Sequence, residues 1–112
     1  MTTVTSTERI AQLNDLARQA MGICCSLVQT EGFNALPAEI QSAIREKVEK
    51  FDAFSEHNDP HGERDFGAIE HEGVKVFWKI DYYDKSMEYG SEDPSDPRQT
   101  TRVLTIMLVE EY

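Results

Sequence analysis

Two cysteines in 112 residues, and adjacent ones at that (Cys24 and Cys25), leave this chain without the means for several kinds of chemistry. On a strand, neighbouring side chains point to opposite faces, so the two thiols are poorly placed to bridge each other, and they read as buried thiols. Redox and zinc motifs use spaced pairs, and none is present. Long apolar runs are also missing: nothing approaches the about 18 residues of a membrane helix. The first eight residues are polar and carry no apolar signal segment, so the expected location is the cytoplasm. Positive charge is scarce. Eleven Lys and Arg face 21 Asp and Glu, for a net charge of −10 and a pI near 4.6. Phosphates repel such a surface, which makes duplex DNA and anionic membranes poor direct partners. A glycine-rich phosphate loop, a nucleophile elbow and internal repeats are likewise missing.

What is present is an uneven distribution of acid. Residues 52–98 hold 13 Asp/Glu against 5 Lys/Arg, a net of −8, while the segments on either side carry about −1 each. Gathered charge opposes compaction by self-repulsion, so it is expected to lie in solvent or to serve a purpose. Apolar residues make up 39% of the chain, too many for disorder and enough for one core. One domain over residues 1–112 is expected, with 1–5 as a frayed tail.

Thr5 and Glu8 have capping-box spacing, and Ile10, Leu13, Leu16, Ala17 and Ala20 follow at helical intervals, so the pattern predicts a helix over roughly 6–20. Met21–Gln29 reads as a short buried strand and Gly32–Leu36 as a connector. Pro37 marks a second helix start, with Ile40, Ile44, Val48 and Phe51 as its stripe and Glu46–Lys50 as a one-turn ion pair. Residues 65–71 and 74–83 flank Glu72-Gly73, a hairpin signal. In the second of these, Val74, Val76, Trp78, Ile80 and Tyr82 alternate with Lys75, Phe77, Lys79, Asp81 and Tyr83, predicting one core face and one partly wet face. A β-branched run over 100–110 is the last strand. The order helix, strand, helix and then three strands predicts an α+β fold: a mainly antiparallel four-stranded sheet with both helices on one face.

Three places hold candidate chemistry. The 57–65 loop offers His57, Asp59, His61, Glu63 and Asp65, but Pro60 and Gly62 argue against the helical geometry that would bring its imidazoles together. A solvated loop with Asn58 and Asp59 as turn residues is the plainer expectation. Trp78, Asp81, Tyr82, Tyr83 and Asp84 could serve acid–base work, yet aromatics beside Arg102 also suit an interface. The 89–97 loop stiffens its carboxylates, Glu92, Asp93 and Asp96, with two Asp-Pro steps, and a rigid acidic edge of this kind can approximate a line of phosphates.

The segments NDPHGERDFG (58–67), FWKIDYYD (77–84) and YGSEDPSDPRQTTRVLTIMLVEEY (89–112) closely resemble the bacterial domain-of-unknown-function family numbered 3768, and RIAQLND fits its usual start. One departure is Arg64, where the family usually has His. The resemblance implies no catalytic assignment and no cofactor. It implies a setting, since the family is common in alphaproteobacteria and frequent on plasmids and integrative elements, where small acidic proteins blunt host defence.

The combined expectation is a non-enzymatic interaction protein. Asp59, Glu63, Asp81, Asp84, Glu92, Asp93 and Asp96 would supply charge, with Trp78, Tyr82 and Tyr83 as anchors. The partner would be a protein with a basic surface, such as a restriction or CRISPR effector. The alternative is a small metal- or ligand-binding domain or hydrolase, with its site between the 57–65 loop and Asp81–Asp84.

Overall fold

The computed structural model describes residues 4–112. The expected frayed tail therefore falls largely on residues 1–3, outside the described residues. Helix α1 spans Ser6–Gln19, and the Thr5 hydroxyl accepts from the Glu8 amide at 3.1 Å, as the capping signal predicts. Its buried side is Ile10, Leu13, Asn14, Ala17 and Arg18. Leu16, expected inside, is half in solvent, and the inward positions near it go to the polar Asn14 and Arg18.

Strand β1 covers only Ser26–Gln29 and is partly exposed rather than buried; the two thiols lie before it, Cys24 exposed and Cys25 half-buried, because this strand sits at the sheet edge. The residues before it form turns, entered through Gly22 at φ +79°, a left-handed conformation that glycine adopts without strain. The segment expected as a connector contains a one-turn helix, α2 (Glu31–Asn34), capped by the Thr30 side chain. Helix α3 spans Ala38–Glu49 directly after Pro37, buries Ile44 and Val48, and carries the Glu46–Lys50 pair at 2.7 Å. Strands β2 (Phe66–His71) and β3 (Val74–Tyr83) form a hairpin whose turn residues Glu72 and Gly73 both have positive φ, the pattern of a type I′ turn. Strand β4 is Thr101–Leu108, followed by a short 3-10 turn, Val109–Glu111.

The fold is α+β, as expected, but the sheet is mixed. Its order is β1-β4-β3-β2, and β1 runs parallel to β4, while the other two pairings are antiparallel. Strand propensity marks where strands lie but not which neighbour each one takes; here the last strand returns to the sheet centre between β1 and β3. The alternation in β3 holds. Val76, Trp78 and Ile80 join Ile69, Leu104 and Ile106 under Ala17, Phe33, Ile44 and Val48. Each large side chain fully buried there contributes about 1.5–3 kcal/mol. The opposite face carries a Phe66–Phe77–Tyr112 cluster, with ring centroids 5.0 to 6.3 Å apart, and a Lys79–Asp81 ion pair at 2.9 Å.

Glu111 fastens the end of the chain to the α2 turn. Its carboxylate accepts from the Thr30 hydroxyl at 2.6 Å, the Leu108 amide at 2.8 Å and the Gly32 amide at 3.0 Å. The Thr30 hydroxyl first, then the two amides, hold its carboxyl below the ordinary glutamate value. A group whose pKa is depressed by folding stabilises the fold above its unfolded pKa and loses that contribution as pH falls through the folded one. Wild type should therefore lose more melting temperature than Glu111→Gln between about pH 5 and pH 3, and the two should converge in acid. Parallel thermal melts across that range check this, and parallel loss in both proteins would refute it.

Candidate functional site

The 52–65 loop and the 84–100 loop lie far apart in sequence, yet both are fastened to one end of the sheet, where β3 ends and where β2 and β4 begin. The Ile80 amide donates to the Asp65 carbonyl at 2.8 Å, and the Ser91 amide donates to the Tyr82 carbonyl at 3.0 Å. A polar network inside α1 completes the junction. The buried Asn14 amide donates to the Glu63 carbonyl (2.9 Å) and the Tyr82 hydroxyl (2.8 Å), and its oxygen accepts from Arg102 Nε at 2.8 Å. The Tyr82 hydroxyl in turn donates to the Glu63 carboxylate at 2.8 Å. Arg102 lies over the Tyr82 ring, 5.2 Å from its centroid, and its Nη2 donates to the Pro94 carbonyl. Burial pushes the Tyr82 phenol far above its usual range, so it stays protonated and acts as a donor.

Within the loops four carboxylates, Asp59, Asp84, Asp93 and Asp96, accept from backbone amides. Asp59 accepts from the Arg64 amide at 3.0 Å, and Asn58 bonds both the Ser55 amide and the Ala53 carbonyl at 2.7 Å, in line with their expected turn roles. Asp84 accepts from the Ser86 hydroxyl at 2.7 Å and the Glu88 amide at 3.3 Å, and the Ser86 bond chiefly holds its carboxyl low. Asp93 accepts from the Ser95 amide and hydroxyl. Asp96 accepts from the Arg98 amide and the Gln99 side chain, both at 2.9 Å, and the Gln99 bond is the first cause of its lowered pKa. These bonds stiffen the loops; those of Asp96 engage both of its oxygens, whereas Asp59, Asp84 and Asp93 each use one. The half-buried Asp65 carboxyl is raised, first by burial and then by the charges of Glu63 and Asp59. The negative groups of this loop thus sense one another.

Several expected site residues are placed differently. Trp78 is 0% exposed in the core, edge-on to Phe51 and Phe54, and has no surface to offer a partner. Tyr82 is committed through its hydroxyl to Asn14 and Glu63, so it anchors loops rather than a partner, and Glu63 is half-buried at the same junction. Asp81 projects from the opposite sheet face and is paired with Lys79. Tyr83 lies on that same face, half-buried. Asp59, Asp84, Asp93 and Asp96 are half-buried turn residues, and Glu92 is exposed. His57 and His61 are exposed, and among the described residues no three His, Cys, Asp or Glu side chains are grouped to hold a metal.

The sequence reading missed three residues. Asn14 and Arg18 sit four apart on the buried side of α1, and two polar side chains on an apolar stripe are the signal that would have found them. Arg18 donates to the Val48 and Phe51 carbonyls at the end of α3 (3.0 and 2.8 Å), pairs with Asp15 at 2.6 Å and lies over the Trp78 ring. Arg64, at the position where the resemblance expects His, reaches the same Asp15 at 2.9 Å and covers Phe54, so here it is a structural clasp. Tyr89 is the third: it is 72% exposed in the 84–100 loop, where its carbonyl accepts from the Asp84 amide at 2.8 Å.

The architecture is therefore an α+β protein whose two acidic loops are bound to one sheet end by a buried polar network. Residues 29–111 match the family described as a protein of unknown function, DUF3768, and the chain belongs to that family. No curated protein and no solved structure matches it.

Proposed function

We propose that this protein is a non-enzymatic interaction module that presents its acidic end to a basic surface on a partner protein. The supporting observation is the fastening of the 52–65 and 84–100 loops to one sheet end by Asn14, Tyr82 and Arg102. Loops fixed in this way lose little conformational entropy on association, and grouped carboxylates steer a cationic partner. Exposed Tyr89, beside Glu88 and Glu92, is the aromatic anchor in this reading, replacing Trp78 and Tyr82. A basic groove that normally holds nucleic acid is the best chemical fit, as in a restriction or CRISPR effector, because a fixed row of carboxylates presents charge much as phosphates do.

The alternative, a metal- or ligand-binding or hydrolytic site joining the 57–65 loop to Asp81–Asp84, fits the geometry less well. Glu63 meets Tyr82 on the helix-covered face, whereas Asp81 points to the other side of the sheet.

The test begins with a partner isolated from host lysate, followed by binding isotherms over a range of salt. Affinity should fall at least tenfold from about 0.05 to 0.5 M salt. Tyr89→Ala should weaken binding by a similar factor, and Glu88→Gln with Glu92→Gln should flatten the salt dependence. Affinity indifferent to both salt and these substitutions would overturn the proposal.

A further inference from the structure

Beside the loop junction, the end of α1, the turns before β1 and the start of β4 enclose a cleft of about 500 Å³. We infer that this cleft is a binding site for a small carboxylate carrying an apolar body. Three observations point to it. The first is the sign of its charge. In a chain of net charge −10, the only formally charged residues lining the cleft among the described residues are Arg102 and Lys85, and no carboxylate among them reaches its wall.

The second is the condition of Arg102. Its side chain is 5% exposed, yet among the described residues it forms no ion pair, and its Nε and Nη2 bind only the neutral Asn14 and Pro94 oxygens. Nη1 makes no hydrogen bond among the described residues. The nearest anionic group in the network, Glu63, stands behind the Tyr82 hydroxyl rather than in contact. Nη1 keeps some contact with solvent, so it is the guanidinium donor open to an incoming oxyanion, and a largely buried guanidinium with no carboxylate partner favours one.

The third is the opposite wall. Leu13 lines it, Leu16 is 48% exposed, and Ile23 at its lip is 87% exposed. An apolar wall facing a few polar groups, in a volume between about 300 and 1,000 Å³, is the usual make-up of a small-molecule site. Arg102 with Lys85 would hold the head group, and Leu13, Leu16 and Ile23 the tail.

The full chain can be titrated by NMR with octanoate, octanol and octyl phosphate, each alone. Octanoate should move amides near residues 13–16, 22–26 and 100–102 saturably, with octanol at least about tenfold weaker. Ile23→Asp, at a position too exposed to disturb the core, should lower octanoate affinity about tenfold, and Lys85→Glu severalfold. Arg102→Gln should abolish binding. If that variant does not fold, Lys85→Glu and Ile23→Asp decide the matter. Equal binding of octanol, tighter binding of octyl phosphate, shifts scattered over the surface, or unchanged affinity in Ile23→Asp and Lys85→Glu would each overturn the assignment.

Discussion

Gly67→Ala should lower stability by about 3 kcal/mol, at the top of the range for overpacked cores, although it adds one methyl group. Gly67 faces Trp78 across the β2–β3 pair, and the indole lies against its α-carbon. A Cβ there would stand 2.4 Å from Trp78 Nε1, 2.7 Å from Cε2 and 2.9 Å from Cζ2. The ring has no room to retreat, because Phe51 and Phe54 meet it edge-on at 5.5 and 6.1 Å and Arg18 lies over it at 5.1 Å. Gly90→Ala is the control, since its nearest neighbour, the Tyr82 carbonyl, is 3.8 Å from the added carbon; it should stay within about 0.5 kcal/mol. The indole N–H has no hydrogen-bond partner among the described residues, so Trp78→Phe shrinks the ring without breaking a bond. In that background Gly67→Ala should cost less than in wild type, and a double-mutant cycle by chemical denaturation reads the coupling. A neutral Gly67→Ala would show that the ring is not confined.

Asn14→Ala should be comparably severe, at about 3 kcal/mol. It removes three hydrogen bonds at once, to Glu63, Tyr82 and Arg102, and leaves the Arg102 guanidinium buried against the Pro94 carbonyl alone. Truncating one member of a buried charged network costs more than the mean hydrogen bond, because the stranded partner keeps its desolvation penalty. The loss should also be local. Exchange of the Ile80 and Ser91 amides, which hold the two loops to the sheet, should accelerate beyond the global change. Tyr82→Phe should cost less and should be non-additive with Asn14→Ala, because the two share one bond. A cost below about 1 kcal/mol, with the loop amides still protected, would mean that the network does not fasten the loops.

The elements were legible where periodicity and punctuation agree: α1 from its cap and stripe, α3 from Pro37, the hairpin from Glu72-Gly73, and β3 from its alternation. The parallel partnership of β1 was not, because a four-residue strand carries no mark of its neighbour's direction. Acid clustered in one stretch of sequence was visible, and so was the turn role of Asn58 and Asp59. The roles of Trp78 and Tyr82 were misjudged because an aromatic in an amphipathic strand serves core and interface alike, and only its face decides. The residues that join the segments, Asn14 and Arg18, lie 30 to 88 positions from the groups they bind across the fold. Two polar residues on the apolar stripe of α1 mark them as buried, but nothing local names partners at that range. The segments that carry the family resemblance do meet in space: Gly67 under Trp78, Glu63 at Tyr82, and Ser91 at the Tyr82 carbonyl.

The central claim is that the two acidic loops act together as one binding surface. Hydrogen exchange of this protein with and without its isolated partner tests it most directly. Protection is expected in residues 55–64 and 84–99 together, and Asn14→Ala should weaken both. Protection at the far hairpin around Gly73, or confined to the Phe66–Phe77–Tyr112 face, with both loops unchanged, would contradict it.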